Sequence, residues 1–204
     1  MLLTLMFLGL AALVAPSASY GCYGDLHTME TPVISCRPVQ TPTCGVLTAQ
    51  KIAEIDIVRL RAYQAPIMRV ARKTCLDPAL VGAIISVESR VGAALHDGWN
   101  RERNRFGLMQ IPVNYNLVPV AWNSEDHIAQ GANILVTGLE DIKRRFPTWQ
   151  WQQHLRGGIC YYYNKVRNIQ VNDGMDICNS NDDYVNNVII RAKTLQNNGF
   201  RILE

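Results

Sequence analysis

The chain has 204 residues, of which 48% are hydrophobic and 18% are charged, and its formal net charge is +3. This length and composition predict a protein that buries a sizeable core. A mildly basic charge without a Lys/Arg-rich tract does not indicate a nucleic-acid-binding protein, and no nucleic-acid partner is predicted. The short basic runs at 101–105 (RERNR) and 143–145 (KRR) are interpreted as solvated surface.

The chain begins with an uncharged apolar run followed by small residues and Pro16, over residues 1–19. This pattern is typical of a secretory signal peptide and is too short for a membrane span. Cleavage near Ser19 would leave residues 20–204, which contain no second apolar run long enough to cross a bilayer. We therefore predict one secreted, soluble domain over residues 20–204 and no stable membrane insertion.

Six cysteines in an oxidising compartment indicate disulfides, and their spacing matches neither a CxxC metal site nor a redox pair. They are Cys22, Cys36, Cys44, Cys75, Cys160 and Cys178, and their spacing leaves the pairing open. The four histidines are scattered and lack metal-ligand spacing. Phosphate-binding glycine loops and dinucleotide fingerprints are missing from the sequence, so neither a metal nor a cofactor is predicted.

Residues 20–47 are rich in Pro, Gly and Thr and predict an irregular arm held by disulfides. A first helix is predicted over 48–60, with Ile52, Ile55 and 57–60 facing inward, and a second over 63–74. Asp77 and Pro78 are typical of the N-cap and first turn of a third helix. From 92 to 121, Gly, Pro and Asn interrupt every pattern and indicate loops or short strands.

The second half of the chain predicts three more helices. Asn123 or Ser124 caps a long amphipathic helix that ends before Pro147. Thr148 is expected to cap the next helix, and the last one begins near residue 182 or 183 and ends at Gly199. The apolar stripe of the long helix comprises Ile128, Ala132, Leu135, Leu139, Ile142 and Phe146. That of the last helix comprises Val185, Val188, Ile189, Ala192 and Leu195.

One carboxylate interrupts the apolar face of the third helix. Val81, Ile84, Ile85 and Glu88 follow the i, i+3, i+4, i+7 spacing of one helix face. A carboxyl group flanked by aliphatic surface has a raised pKa and can donate a proton near neutral pH, as acid catalysis on a glycosidic oxygen requires. The alternative interpretation is a helix-terminal glutamate turned toward water.

Several sequence blocks, in order and with matching spacing, resemble the goose-type (g-type) lysozyme family along essentially all of residues 20–204. They are ES at 88–89, DGW at 97–99, FGLMQ at 106–110, WNSE at 122–125, RRFPTW at 144–149, LRGGI at 155–159, MDI at 175–177 and DDYVN at 182–186. The ES and GLMQ blocks are also similar to those of bacterial lytic transglycosylases.

This resemblance implies a mainly α, α+β lysozyme-like fold: a single globular domain of about seven helices with a small irregular or β region beside a cleft. It implies a secreted, antibacterial muramidase that cleaves β-1,4 bonds between N-acetylmuramic acid and N-acetylglucosamine in bacterial peptidoglycan with inversion. The general acid of the family falls on Glu88. Substrate contacts are expected at Gln110, Asn116, Tyr162, Tyr163 and Asn164. The two family disulfides correspond to Cys22 with Cys75 and Cys36 with Cys44, leaving Cys160 and Cys178 as an extra pair.

The sequence departs from the family where aspartates help to place the attacking water. Arg101 and Pro112 occupy those two positions, so Glu102 or Asp97 would have to supply the second carboxylate. The family tyrosine corresponds to either Tyr162 or Tyr163, and one residue rotates a side chain by about 100° around the helix. Asn116 replaces a histidine that is common in the family.

Two functions remain open at this stage. The first is a monomeric muramidase, with activity reduced by the missing aspartates, in which either water or the hydroxyl of the sugar attacks. The second is a glycan-binding protein that keeps the lysozyme-like fold without the chemistry.

Overall fold

The computed structural model describes residues 22–32, 34, 44–115, 119–167 and 183–200. The predicted signal peptide, Cys36, Asn116 and Cys178 lie outside these described residues, as does the side chain of Cys44. The predictions made for them therefore stay predictions.

The fold is mainly α with one small β-hairpin, as predicted. The α-helices are α1 (Cys44–Leu60), α2 (Gln64–Thr74), α3 (Pro78–Ser89), α4 (Glu125–Arg145), α5 (Trp151–Arg167) and α6 (Asp183–Asn197). The hairpin pairs β1 (Arg105–Phe106) with β2 (Ile111–Pro112) in antiparallel fashion. The part of the chain that is described thus has six α-helices, with short 3-10 helices at Leu26–Thr28 and Arg61–Tyr63, where about seven helices were predicted.

Helix α3 lies at the centre of the molecule. Every residue from Pro78 to Ser86 is buried, because α3 packs against α6 on one side and α2 on another and is apolar all round. A second layer forms where α4 packs against α5 and α2. All six helices contribute to one large apolar core, which is the packing expected of a single domain.

The predicted helix ends and apolar stripes are largely confirmed. The Asp77 carboxylate accepts the backbone N–H of Ala79 and caps α3, and the Ser124 hydroxyl accepts the N–H of His127 and caps α4. Gly199 has a φ of +85° and follows the end of α6. The predicted stripes of α4 and α6 are buried, apart from the partly exposed Phe146.

Two predictions about helices are wrong. Ile55 and Val58 of α1 are 47% and 71% exposed rather than inward, because α1 buries the face that carries Ala49 and Ala53. Helix α5 begins at Trp151 and not directly after Thr148, since Trp149 and Gln150 lie between that residue and the helix.

Disulfides fasten the described part of the chain at two points. The predicted bond between Cys22 and Cys75 is confirmed and ties the N-terminal arm to the end of α2. Cys160 is also disulfide-bonded, and the other three cysteines have side chains outside the described residues. None of the described helices combines the length and apolar character needed to cross a membrane. The described residues also contain no cluster of three or more His, Cys, Asp or Glu able to hold a metal ion.

Candidate active site

Glu88 is the penultimate residue of α3, and its side chain is 0% exposed. The half-buried state of the residue as a whole therefore comes from its backbone. The Tyr184 hydroxyl donates to Glu88 Oε1 at 2.7 Å, and Arg105 Nη1 donates to Oε2 at 3.2 Å. Arg167 Nη2 lies 3.6 Å from the same Oε2. The apolar stripe of α3 thus ends in a carboxyl group enclosed by polar side chains from β1, α5 and α6.

Burial raises the pKa of Glu88, and this effect outweighs three opposing ones. The Arg167 charge, the hydrogen bond from Tyr184 and the Arg105 charge each favour the ionised form and lower the pKa. Burial also lowers the pKa of the Arg105 guanidinium, and the neighbouring charge of Arg167 lowers it further. The sign of the Glu88 shift is the one that acid catalysis needs.

A buried ionic network holds the end of α3 that carries Glu88. Asp56 of α1 is fully buried and accepts the Ser86 hydroxyl at 2.8 Å and Arg90 Nε at 2.9 Å. Arg191 of α6 donates to the Ser86 carbonyl at 3.0 Å and lies 3.8 Å from Asp56 Oδ2. Burial lowers the pKa of Arg191 to about 10. This network fixes the α3 backbone on both sides of Glu88.

Sequence reasoning missed this network, although the sequence carries a signal for it. Asp56 lies four residues from both Ile52 and Leu60 and so shares a face with apolar residues, the pattern that singled out Glu88.

The hairpin that carries Arg105 is anchored on α4. Gly107 has a φ of +80°, and a Cβ placed there would come within 2.1 Å of the His127 ring. The Met109 N–H donates to His127 Nε2 at 3.1 Å, so this ring nitrogen carries no proton. Burial lowers the pKa of His127 to about 4, which keeps the acceptor form at neutral pH. The GLMQ block therefore acts first as a support for the site.

Two adjoining pockets lie in front of this support and share Asn100. The first has a volume of about 490 Å³ and is lined by Asn100, Glu102, Asn104, Arg105, Pro112, Val113, Asn114, Val166 and Arg167. The second has a volume of about 420 Å³ and is lined by Ala93, Ala94, Leu95, His96, Trp99, Asn100, Arg101 and Arg103. Glu88 lies behind the first pocket, beneath the two arginines of its wall.

The two candidates for a second carboxylate occupy different places. Glu102 lines the first pocket, where its Oε2 accepts Asn100 Nδ2 at 2.8 Å. Asp97 is 87% exposed, pairs with His96 at 3.3 Å and lines neither pocket. Glu102 is therefore the carboxylate that shares a pocket with the partners of Glu88.

The residues predicted to bind substrate are only partly brought together. Gln110 is 1% exposed, and its Nε2 donates to the Gly107 carbonyl at 2.8 Å. The Tyr162 hydroxyl is also buried and donates to the Met109 carbonyl at 2.6 Å. Asn164 Nδ2 points to Cys160 Sγ at 3.7 Å.

Tyr163 points to a different side of α5 from Tyr162. Its ring centroid lies 4.5 Å from that of Tyr184 and 5.3 Å from the Arg167 guanidinium. Tyr162 therefore supports the GLMQ turn, whereas Tyr163 packs on two of the groups that contact Glu88.

Arg105 corrects one prediction. The run at 101–105 was interpreted as solvated surface, but the Arg105 side chain is only 16% exposed and is paired with Glu88. Arg167 and Tyr184 were likewise not predicted as partners of Glu88. Tyr184 belongs to the DDYVN block, so the resemblance carried a signal for it, whereas the sequence offered none for Arg167.

Comparisons with known proteins agree with the motif blocks. A sequence profile of the family Lysozyme g matches residues 23–199. The chain is 41% identical to Lysozyme g of Struthio camelus over 202 residues, which cover 97% of this chain and 99% of that protein. It is 39% identical to Lysozyme g of Gallus gallus over 204 residues, covering 98% and 97% of the two chains. It is 36% identical to Lysozyme g-like protein 2 of Homo sapiens over 185 residues, covering 91% and 85%. Matches of this extent show that the protein belongs to the lysozyme g family.

Proposed function

We propose that the protein is a secreted muramidase that cleaves the β-1,4 bond between N-acetylmuramic acid and N-acetylglucosamine in bacterial peptidoglycan, in antibacterial defence. The observation that carries this proposal is Glu88, a carboxyl group with a raised pKa directly behind a polar pocket. In its protonated form Glu88 would donate to the glycosidic oxygen as the bond to the leaving sugar breaks.

Glu102 is the best-placed group to activate water in this reaction. Inverting hydrolysis needs a base across the sugar ring from the acid, and Glu102 lies on the wall of the same pocket. Its hydrogen bond from Asn100 fixes one carboxylate oxygen and leaves the other to accept a proton from water. If Glu102 does not act, attack by a hydroxyl of the sugar itself would give an anhydro product instead.

One observation favours the competing function, a glycan-binding protein without hydrolytic activity. The Glu88 side chain has no exposed area, and Arg105 and Arg167 lie between it and the pocket. A sugar oxygen can reach Glu88 only when these side chains move. We therefore expect slow cleavage, since Arg101 and Pro112 also supply no carboxylate to place water.

The test is clearing of purified peptidoglycan by the native protein, Glu88→Gln and Glu102→Gln, with mass analysis of the fragments. Glu54→Gln is the matched control, because Glu54 is 49% exposed on α1 and pairs with Lys51 at 3.4 Å. We expect clearing by the native protein and the control, and none by Glu88→Gln. Reducing ends would indicate hydrolysis, and 1,6-anhydro ends would indicate attack by the sugar. Binding without clearing by native protein at high concentration would establish the glycan-binding function.

The same proposal covers processing and assembly. Removal of residues 1–19 and secretion of 20–204 as a monomer are expected, with Cys36 bonded to Cys44 and Cys178 to Cys160. Intact mass under non-reducing conditions, with disulfide mapping of the secreted protein, tests the cleavage site and both pairings. Light scattering after gel filtration tests the monomer.

A further inference from the structure

Two guanidinium groups share a single carboxylate oxygen at the back of the first pocket. Arg105 Nη1 lies 3.2 Å from Glu88 Oε2 and Arg167 Nη2 lies 3.6 Å from the same atom. The two arginine side chains are 16% and 36% exposed and both line the pocket. Each guanidinium group therefore contacts Glu88 and also borders the pocket, where it can contact a ligand.

The described residues that line the two pockets carry more positive than negative charge. They include arginines 101, 103, 105 and 167, whereas Glu102 is the one acidic residue among them. A guanidinium presents several N–H donors in a planar fork that matches a carboxylate. A groove of this charge and donor geometry fits an anionic ligand better than a neutral sugar chain.

We propose that Arg105 and Arg167 form a receptor for a free carboxylate of the stem peptide on the peptidoglycan strand, and that this carboxylate draws both guanidinium groups away from Glu88, which then takes up a proton. The inference rests on the proposed function, because it assigns the ligand chemistry and the activation of the same site.

The coupling follows from the groups that face Glu88. Arg105 and Arg167 bring the two positive charges that favour its ionised form, while Tyr184 contributes a neutral hydroxyl. Tyr162 is fully buried nearby, and burial raises its pKa well above the usual value, so it is also neutral. When the guanidinium groups bind another carboxylate, Glu88 stays buried but loses the two positive charges that favour its ionised form. Protonation of Glu88 from solvent then becomes favourable.

Glu102 is not itself the carboxylate that binds Arg105 and Arg167 in place of Glu88. Its charge acts on Arg105 from a distance, but its fixed oxygen accepts from Asn100. A ligand carboxylate that reaches both arginines would therefore add a contact that the free protein lacks. No covalent step is involved, and the only species transferred is one proton, which the buffer acid supplies through the solvent to Glu88 while its conjugate base remains in solution.

The experiment is isothermal titration calorimetry at several pH values between 5 and 7, in two buffers of different ionisation enthalpy. The probe is an N-acetylmuramoyl peptide with free carboxylates, which contains no glycosidic bond to be cleaved. It is compared with the fully amidated probe, with an uncharged N-acetylglucosamine oligomer and with acetate alone. The protein variants are Glu88→Gln, Arg105→Lys and Arg105→Ala. Arg144→Ala is the control, because this exposed arginine of α4 pairs with Asp141 outside the two pockets.

We expect the free-acid probe to bind at least tenfold more tightly than the amidated one, with uptake of up to one proton. Glu88→Gln should bind the probe with no uptake, and both Arg105 variants should lose most of the tenfold preference, the lysine because it cannot form the fork. Arg144→Ala should match the native protein.

Equal affinity for the two probes, or carboxylate-dependent binding without proton uptake in the native protein, would overturn the inference. The same uptake with acetate at similar concentrations would overturn the assignment to peptidoglycan. Because the probe cannot be cleaved, a native protein that shows coupled binding but never clears peptidoglycan would refute the muramidase proposal alone.

Discussion

Replacing Asp56 with alanine tests whether the buried network behind Glu88 stabilises the fold. Asp56 has 0% exposed area and accepts from Ser86 and Arg90, and Arg191 lies 3.8 Å away. Asp56→Ala leaves Arg191, which is 6% exposed, without its counter-charge. Removing one partner of a buried ion pair costs about 3–5 kcal/mol in the free energy of unfolding. In a domain of this size that corresponds to a Tm lower by roughly 6–20 °C.

The assay is urea denaturation at pH 7 followed by circular dichroism, together with a thermal melt. Asp56→Asn retains the shape of the side chain and most hydrogen bonding, so we expect a smaller loss that isolates the charge. Glu54→Gln, which removes a carboxylate from an exposed pair on the same helix, should change the free energy of unfolding by about 0.5 kcal/mol or less. A loss below about 1 kcal/mol for Asp56→Ala would refute the reasoning, because it would mean that the arginines are stabilised without Asp56.

Two further predictions concern the support of the hairpin on α4. Gly107→Ala should lower the free energy of unfolding by about 2 kcal/mol or more, since the residue has a φ of +80° and its Cβ would overlap the His127 ring; a thermal melt with unchanged Tm would contradict this. Burial lowers the pKa of His127 to about 4, below the ordinary value of 6.5, so the unfolded chain binds the proton more tightly. The contribution of neutral His127 to the free energy of unfolding is fully present above about pH 6.5. It is lost as the pH drops toward 4, and the loss is about 2.5 kcal/mol at pH 4.5. Denaturation of native protein and His127→Gln across this range should show a larger loss in the native protein, by about 2.5 kcal/mol at pH 4.5, and parallel curves would exclude His127 as its source.

The sequence predicted those features that depend on neighbours along the chain. The position of Glu88 at the end of an apolar stripe, the N-cap at Asp77 and the buried faces of α4 and α6 follow from spacing within one helix. Contacts between distant segments could not be predicted in this way. Tyr184 reaches Glu88 across 96 residues of sequence, and no local pattern indicates which tyrosine does so.

Helix α1 shows why a local pattern can also give the wrong face. Its large apolar residues suggested an inward face, yet Ile55 and Val58 are exposed. The buried face instead carries Ala49, Ala53 and Asp56, because small side chains let α1 pack closely against α6 and the aspartate meets arginines there. A hydrophobicity scale ranks large apolar residues above small ones. It therefore cannot detect a helix face whose small residues let a neighbouring helix pack closely.

The missing aspartate and the covered acid are linked through the register of the hairpin. Arg105 of β1 pairs directly with Pro112 of β2, the position at which the lysozyme g resemblance expects an aspartate. Side chains directly opposite in an antiparallel pair lie about 5 Å apart, within reach of a long guanidinium. An aspartate at 112 would therefore compete with Glu88 for Arg105, whereas proline offers no acceptor in its side chain. We infer that Pro112, which cannot bind Arg105 through its side chain, leaves Arg105 paired with Glu88. The absence of an aspartate at position 112 therefore also keeps Glu88 covered until an anionic ligand binds Arg105.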